Sequence, residues 1–225
     1  MIRCLVLIFL GIISLLSIIS LAGCETAPEG SGEWYSARAY QYALHGDYQD
    51  AIINYTNAIK VEPLLSKAYV NRAEVYVILQ DYNLAITDCD KALSLDSNLP
   101  VAYINRASAD NGLKNYDQSI QDCDKAIALD YDLPQAYINR ATAYYYEGNM
   151  GNSIADCDEA LQIDPTLPDG YYHRALGYQS LGKNDEAITN FEKFITLSKD
   201  NTLIQNAQQQ INILSNPAPA PQTTK

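Results

Sequence analysis

A single period of about 34 residues runs through most of this chain and constrains its fold more than any other feature. Residues 102–107 read Ala-Tyr-Ile-Asn-Arg-Ala and residues 122–126 read Asp-Cys-Asp-Lys-Ala. Closely similar blocks stand one period earlier, at 68–73 and 88–92, and one period later, at 136–141 and 156–160. A fixed period of this length indicates stacked repeats. Weaker copies on either side bring the count to five units, at 32–65, 66–99, 100–133, 134–167 and 168–201.

Each unit carries two apolar stripes at helical spacing. In the third unit, one stripe runs from Tyr103 through Ala107 to Leu113, and the other runs from Ile120 to Ile127. Two amphipathic helices per unit are therefore predicted. Because one helix pair cannot bury its own apolar face, stability is expected from the stacking of neighbours. Candidate N-caps of the second helices and first-turn prolines of the first helices are Asp47, Asp81, Asn115 and Asn149, and Pro100, Pro134 and Pro168.

These positions resemble the tetratricopeptide repeat family. The first aromatic position of the family matches Tyr35, Tyr69, Tyr103, Tyr137 and Tyr171. The first small-residue position matches Ala39, Ala73, Ala107, Ala141 and Ala175, and a later one matches Ala58, Ala92, Ala126 and Ala160. The sequence departs from the family at Asp110, which replaces an aromatic, and at Phe194, which replaces an alanine. It also departs where leucine is usual, at Arg72, Arg106, Arg140 and Arg174.

The resemblance implies an all-α fold, a right-handed solenoid of about five helix-turn-helix repeats. It also implies a concave groove, lined by the first helices, that binds extended peptides or a partner helix. After the repeats, apolar residues at helical spacing predict a capping helix over 202–215, and a proline-rich tail at 216–225 is expected to be disordered.

One column of polar residues is expected to face this groove: Asn71, Asn105, Asn139 and His173. An amide side chain donates and accepts hydrogen bonds at once, so three asparagines in register could hold a peptide backbone without reading its sequence. Such a column resembles the asparagine ladder of certain peptide-binding arrays in the family. The alternative is that duplication of nearly identical units copied the asparagines without any role in binding.

Arginines form a second column at the junctions between units. We expect each to pair with the first aspartate of the preceding Asp-Cys-Asp triplet, because a guanidinium matches a carboxylate as a planar fork. The pairs are then Arg106 with Asp88, Arg140 with Asp122, and Arg174 with Asp156. The alternative is that the arginines lie along the surface with their charged ends in water.

Residues 1–23 differ from the rest of the chain. Arg3 is followed by an almost unbroken apolar run to residue 19, which is typical of an export signal. The sequence Leu21-Ala22-Gly23-Cys24 resembles the lipobox of prokaryotic lipoproteins, and this resemblance implies cleavage before Cys24 and lipidation of its thiol. Residues 1–23 are then a signal peptide and 24–33 a flexible linker, and the repeats are extracytoplasmic and lipid-anchored to the cell membrane or envelope. The alternative is an uncleaved signal anchor.

The charge of the chain bears on its partners. With 15 basic and 27 acidic residues, its formal charge is −12, which disfavours binding to nucleic acid. The sequence has no phosphate-binding loop, and the two histidines, His45 and His173, lie in different units without a nucleophile and acid beside them. We therefore expect no enzyme activity, no cofactor and no small-molecule substrate.

Three cysteines, Cys89, Cys123 and Cys157, occupy the same inward position of successive second helices. Stacked helix pairs lie on the order of 10 Å apart. This spacing exceeds the reach of a disulfide and prevents three thiolates from converging on one metal ion. Free thiols that fill the core, with no metal site, are expected.

Together these features predict a membrane-anchored, extracytoplasmic scaffold that holds a protein or an extended peptide in its groove. The competing hypothesis is a docking or assembly subunit of an envelope complex, in which the array is a spacer and the groove is unoccupied.

Overall fold

The computed structural model describes residues 27–216, which form eleven α-helices and no strands. The helices are α1 (Gly32–Leu44), α2 (Tyr48–Val61), α3 (Ser66–Ile78), α4 (Tyr82–Leu95), α5 (Pro100–Leu113), α6 (Tyr116–Leu129), α7 (Pro134–Tyr146), α8 (Met150–Ile163), α9 (Pro168–Ser180), α10 (Asn184–Leu197) and α11 (Asn201–Ser215). The expected signal peptide, Cys24 and the tail from residue 217 onward lie outside the described residues.

Successive helices pair into five antiparallel units, from α1 with α2 to α9 with α10. Each unit stacks on the next, which makes the fold an all-α repeat solenoid. Neighbouring first helices touch one another, whereas neighbouring second helices contact one another far less. The first helices therefore lie on the inner side of the curve. The last helix, α11, packs against α10 where the sequence predicts a helix over 202–215.

Small residues hold the helices together. The alanine of the first helix at the crossing within each unit has no exposed surface in any of the five units: Ala39, Ala73, Ala107, Ala141 and Ala175. Between units, Ala92 of α4 packs with Ala102 of α5, and Ala126 of α6 packs with Ala136 of α7. Small side chains let the helices approach closely, which is how alanine-rich segments build a dense core.

The three repeated cysteines are free and completely buried. Burial raises the pKa of each thiol, Cys89, Cys123 and Cys157, to about 12. Tyr55 and Phe191 fill the same position in the first and last units, and both are also buried. The cysteines therefore act as small core side chains.

Two of the departures from the family pattern, Phe194 and Asp110, are explained by their neighbours in the fold. Phe194 packs in the same cluster as Ala207 of α11, so the larger side chain lies where the next element is the capping helix. Asp110 is 4% exposed, and its carboxylate accepts a hydrogen bond from Asn115 Nδ2 at 3.0 Å. Loss of hydration raises the pKa of Asp110.

The starts of the helices only partly follow the sequence prediction. The candidate residues Asp47, Asp81, Asn115 and Asn149 do stand at the N-cap positions, but only the Asn149 side chain accepts a helix N–H, from Asn152 at 3.3 Å. The prolines at 100, 134 and 168 open their helices as predicted. Helix α1 begins at Gly32, inside the expected linker, because Ser31 caps Trp34 N and Glu62 accepts from Gly32 N at 2.7 Å.

The ends of the first helices all use a left-handed residue. Glycine takes this role at Gly46, Gly148 and Gly182, with φ between 71° and 82°. In the second and third units the same position holds Gln80 and Lys114, at φ 62° and 66°. A residue with a Cβ is strained in this conformation, so these two turns have a higher conformational free energy than the three with glycine.

The arginine column forms ion pairs, but the expected pairing was wrong. Arg106 does not pair with Asp88, nor Arg140 with Asp122, nor Arg174 with Asp156, among the ion pairs of residues 27–216. Each guanidinium instead donates hydrogen bonds to the side chain 16 positions later in its own unit. The pairs are Arg72 with Asp88, Arg106 with Asp122, Arg140 with Asp156 and, through an amide oxygen, Arg174 with Asn190.

The third guanidinium nitrogen links each arginine to the preceding unit. Nη1 reaches the third residue of the preceding triplet in Arg106–Asp90, Arg140–Asp124 and Arg174–Asp158, at 2.5–2.6 Å. In the second unit, Arg72 Nη1 donates instead to Thr56 Oγ1 at 2.8 Å. The column therefore joins the two helices of one unit and also joins successive units.

Candidate functional site

The inner surface formed by the first helices is the candidate binding surface. Several large apolar side chains on these helices are exposed: Tyr40, Leu44, Ile78, Val101, Leu113 and Tyr146. Exposed apolar side chains that lie close together are typical of a protein-interaction surface. We refer to this inner surface of α1, α3, α5, α7 and α9 as the groove.

Two of the four expected ladder residues are committed to the fold. Asn105 Nδ2 donates to the Val70 carbonyl, and Asn139 Nδ2 donates to the Ile104 carbonyl, both at 3.1 Å. These amides are only 8% and 6% exposed. Each therefore links one first helix to the first helix of the preceding unit, and a ligand in the groove can reach little of either side chain.

Asn71 and His173 differ from the other two ladder residues because both are partly exposed. Asn71 lies beside the Tyr55 hydroxyl. His173 packs edge-on to the ring of Tyr172, with the ring centroids 5.9 Å apart. Loss of hydration lowers the pKa of His173, and the carboxylate of Asp169 opposes this shift. Its imidazole is therefore mainly neutral at pH 7 and can both donate and accept hydrogen bonds.

A cleft of about 210 Å³ opens beside Asn71, between α3 and α5. Lys67 and Asn71 supply its polar edge, and Val70, Pro100 and Val101 line its apolar walls. Val101 is 44% exposed. Apolar walls with a few polar groups at the rim suit a side chain of an extended peptide, whose backbone could bond to the Asn71 amide.

Tyrosines gather where the end of α7 meets the start of α6. The rings of Tyr116 and Tyr146 stack with centroids 5.2 Å apart and an angle of 9° between their planes, and Tyr145 meets Tyr146 edge-on. Tyr146 remains 62% exposed. Stacked and exposed rings offer a rigid apolar surface with hydroxyl groups at its edge, which is a common composition for protein contacts.

Sequence reasoning missed two features of this site. It did not anticipate that Asn105 and Asn139 bond to carbonyls of the neighbouring helix, and it omitted Arg38 from the arginine column. The signal for Arg38 was present, because Arg38 stands one repeat period before Arg72. Within residues 27–216, no cluster of three or more metal-ligating side chains is present, and no helix is long and apolar enough to cross a membrane.

Comparison with known families decides the identity of the repeats. One model described as tetratricopeptide repeat matches residues 66–99 and 134–167, and a second of the same description matches 100–133 and 168–201. Together they cover more than half of the chain. The chain belongs to the tetratricopeptide repeat family. The sequence matches no curated protein significantly.

Several solved tetratricopeptide structures are similar to this one. TTC0263, a thermophilic protein from Thermus thermophilus, has a TM-score of 0.70 at 16% identity, over 80% of this chain and 99% of that one. PilW, described as a widely conserved type IV pilus biogenesis factor, has a TM-score of 0.70 at 23% identity, over 84% and 91%. YrrB, described as having an unusual peptide-binding site, has a TM-score of 0.57 at 17% identity, over 87% and 98%. These likenesses establish the fold.

The tetratricopeptide fold is generally that of a non-enzymatic scaffold for protein interaction. Nothing in the family match or in the described residues of this chain points to catalytic activity.

Proposed function

We propose that this tetratricopeptide protein is a lipid-anchored, extracytoplasmic scaffold that holds an extended segment of a partner protein in its groove. The cleft between α3 and α5 carries the binding part of the proposal, because it combines apolar walls with the partly exposed Asn71 and the exposed Lys67. The sequence Leu21-Ala22-Gly23-Cys24 carries the anchoring part. A cysteine bearing two acyl chains is held stably at a membrane, at about 0.8 kcal/mol per buried methylene.

The groove residues have separate roles in this proposal. Asn105 and Asn139 fix the spacing of α3, α5 and α7 through their bonds to carbonyls. Asn71 and His173 are the ladder residues that contact the ligand. The exposed Tyr146 and the half-buried Tyr145 extend the contact surface toward the C-terminal units. The likeness to YrrB, which is described as having a peptide-binding site, is compatible with this use of the groove.

A photo-crosslinking experiment in intact cells tests the binding role. A photoreactive amino acid replaces Val101 in the groove, and in a matched control it replaces Lys125 on the second helix of the same unit. We expect a discrete partner to be captured through position 101 and not through position 125. Asn71→Ala combined with Val101→Asp should abolish that capture. Equal capture at both positions, or capture that the double substitution does not reduce, would exclude the groove as the binding surface.

The anchor is tested on the same cells. Mass spectrometry of the N-terminal peptide should find a diacylated Cys24 as the first residue, and Cys24→Ser should release the protein from the membrane fraction. A membrane-bound protein that retains residues 1–23 would show an uncleaved signal anchor instead.

A docking or assembly subunit with an empty groove is the second candidate function. The observation that favours it is the commitment of Asn105 and Asn139 to carbonyls within the chain, which leaves half of the ladder with a structural role. Under this alternative, capture would occur from exposed positions outside the groove, and Asn71→Ala with Val101→Asp would leave the complex assembled.

A further inference from the structure

Among residues 27–216, no unit precedes α1 to cover its outer face. In the other four units, the third residue of the first helix is small and buried against the unit before it: Ala68, Ala102, Ala136 and Gly170. The space there is tight, since even a methyl group on Gly170 would lie 2.7 Å from a Leu161 methyl carbon. The first unit has Trp34 at this position. Another unit of the same kind therefore could not stack on α1.

A second position on the same face changes in the same way. The tenth residue of the unit is buried in the other four units: Val75, Ala109, Ala143 and Gly177. Val75 packs with Tyr55, and Ala109 packs with Cys89, so this position also contacts the preceding second helix. In the first unit it is Gln41. The face is therefore aromatic and polar where an inter-unit face would be small and apolar.

These substitutions produce a shallow hollow of about 460 Å³ at the N-terminal end of the array. We call it the end face, and its lining residues are Trp34, Arg38, Gln41, Tyr42, His45 and Asp47. The Arg38 guanidinium lies 5.4 Å from the Trp34 ring centroid and 5.8 Å from that of Tyr42, and it donates to the Tyr42 hydroxyl at 3.3 Å.

Arg38 is also the arginine of its column that has no acidic partner. The residue that faces it by repeat position is Asn54, and the Asn54 amide donates to the Asp50 carbonyl instead. Among residues 27–216, no carboxylate lies within salt-bridge distance of Arg38, and its side chain is exposed. The end face thus presents one cation held between two aromatic rings.

We propose that the end face rests on the headgroup layer of the membrane, with Trp34 and Tyr42 at the interface and Arg38 bonded to a lipid phosphate. This inference rests on the proposed lipidation of Cys24. Cys24 stands seven residues before Ser31, the N-cap of α1. At about 3.5 Å per residue, the tether spans at most about 25 Å. The anchor therefore keeps the end face, rather than the C-terminal units, close to the bilayer.

The chemistry of the end face suits that surface. Tryptophan and tyrosine are enriched at membrane interfaces, where an apolar ring and a polar edge are both accommodated. A guanidinium matches the geometry of a phosphate group. Asp47 at the rim and the net negative charge of the chain disfavour an anionic bilayer. The surface expected here is therefore a zwitterionic phospholipid.

Trp34 is the only tryptophan of the chain, so its fluorescence reports on the end face alone. The full-length protein is extracted from membranes with its native N-terminus and reconstituted into phosphatidylcholine vesicles, with or without bromine on the acyl carbons nearest the headgroup. We expect Trp34 emission to shift to shorter wavelength on reconstitution and to lose most of its intensity in the brominated vesicles. Arg38→Ala should restore much of that intensity, whereas the control Lys60→Ala, an exposed residue of the same unit, should not.

The outcomes separate this inference from the anchor itself. If mass spectrometry finds a lipidated Cys24 but bromine leaves the emission unchanged, the end-face inference is overturned and the anchor stands. If Cys24 carries no lipid, both are overturned. If the emission shifts with protein concentration and ignores bromine, a second copy of the chain covers the end face, which also overturns the proposal.

Discussion

Arg106 grips Asp122 through two parallel hydrogen bonds, from Nε to Oδ2 and from Nη2 to Oδ1, each 2.7 Å long. The Asp122 side chain is 3% exposed and the Arg106 side chain is 20% exposed, so the pair is largely shielded from water. The same guanidinium reaches Asp90 of the preceding unit at 2.6 Å. One side chain thus fixes the crossing of α5 with α6 and the position of α5 against α4.

Removing the buried carboxylate should destabilise the array. Asp122→Ala leaves the half-buried guanidinium of Arg106 without the carboxylate that accepts two of its hydrogen bonds. We expect this substitution to lower the free energy of unfolding by about 2–4 kcal/mol. Asp122→Asn should cost about 1 kcal/mol, since Asn190 already accepts from Arg174 Nε at 2.8 Å in the last unit. Urea unfolding followed by circular dichroism measures both values.

Asp124 offers the matched control, because it pairs with Arg140 but is 55% exposed. Exposed ion pairs contribute about 0–1 kcal/mol, so Asp124→Ala should have a small effect. Equal losses of unfolding free energy for Asp122→Ala and Asp124→Ala would show that burial does not make the Arg106–Asp122 pair more stabilising than an exposed pair.

The left-handed turns at Gln80 and Lys114 can be improved. Gln80→Gly and Lys114→Gly remove the Cβ strain at φ 62° and 66°, and this gain exceeds the extra entropy of glycine in the unfolded chain. We expect each substitution to stabilise the protein by about 0.5–1 kcal/mol in urea unfolding. The reverse change, Gly148→Ala at φ 81°, should destabilise it. A loss of stability in both glycine variants would contradict this account of the turns.

The ladder asparagines should separate by function. Asn105→Ala removes the buried bond to the Val70 carbonyl, which costs about 1–2 kcal/mol, and recovers about 0.5 kcal/mol of helix propensity. A net loss of about 0.5–1.5 kcal/mol is expected in thermal or urea unfolding.

Asn71→Ala is the comparison, because the Asn71 amide is partly exposed. This variant should unfold with a free energy equal to that of the wild type or higher by no more than about 0.5 kcal/mol. If Asn71→Ala proved as destabilising as Asn105→Ala, Asn71 would have a structural role and its assignment to the ligand would lose its basis.

The buried Asp110 should make stability depend on pH. Its pKa is raised by burial, so the folded state binds this proton more tightly than the unfolded state, whose pKa is about 3.9. The wild type should therefore lose stability as pH rises through the window just above that value, and the penalty should remain at neutral pH. Asp110→Asn keeps the shape and the acceptor for Asn115 but cannot ionise.

Urea midpoints of the wild type and of Asp110→Asn, measured from pH 3.5 to 7, test this difference. The variant should be the more stable protein at pH 7, and the advantage should shrink toward zero at the acid end. An advantage that is constant with pH would show that ionisation of Asp110 is not the cause.

Particular residues show how far the sequence determines these results. The repeated alanines, such as Ala107, and the cysteines, such as Cys123, reveal both the repeat period and the buried face of each helix. The helix pairs were therefore predictable from the sequence. The arginine column was predictable as a column, but its partners were not. Arg106 is equally far along the chain from Asp90 and from Asp122, and Asp88 is only two positions further away. The rotation of packed helices, which spacing does not encode, selects among them.

The ladder shows the same limit. Periodicity places Asn105 and Asn139 on the inner side of the solenoid, but it does not fix whether an amide points to solvent or to a carbonyl of the next helix. That choice depends on how closely the first helices approach, and the approach is set by alanine packing across the whole stack. The lipidation of Cys24 and the contact of Asn71 with a ligand stay predictions.

The ion-pair column is weakest where it begins, since Arg72 meets the Thr56 hydroxyl at the first junction and carboxylates serve the later ones. If the proposed anchor at Cys24 and the proposed ligand site between α3 and α5 are both correct, tension on a bound partner passes through the junction of the first and second units. That junction has a hydroxyl partner where the later ones have a carboxylate, so we expect it to separate first, and the array would lengthen next to the membrane while the later units stay stacked.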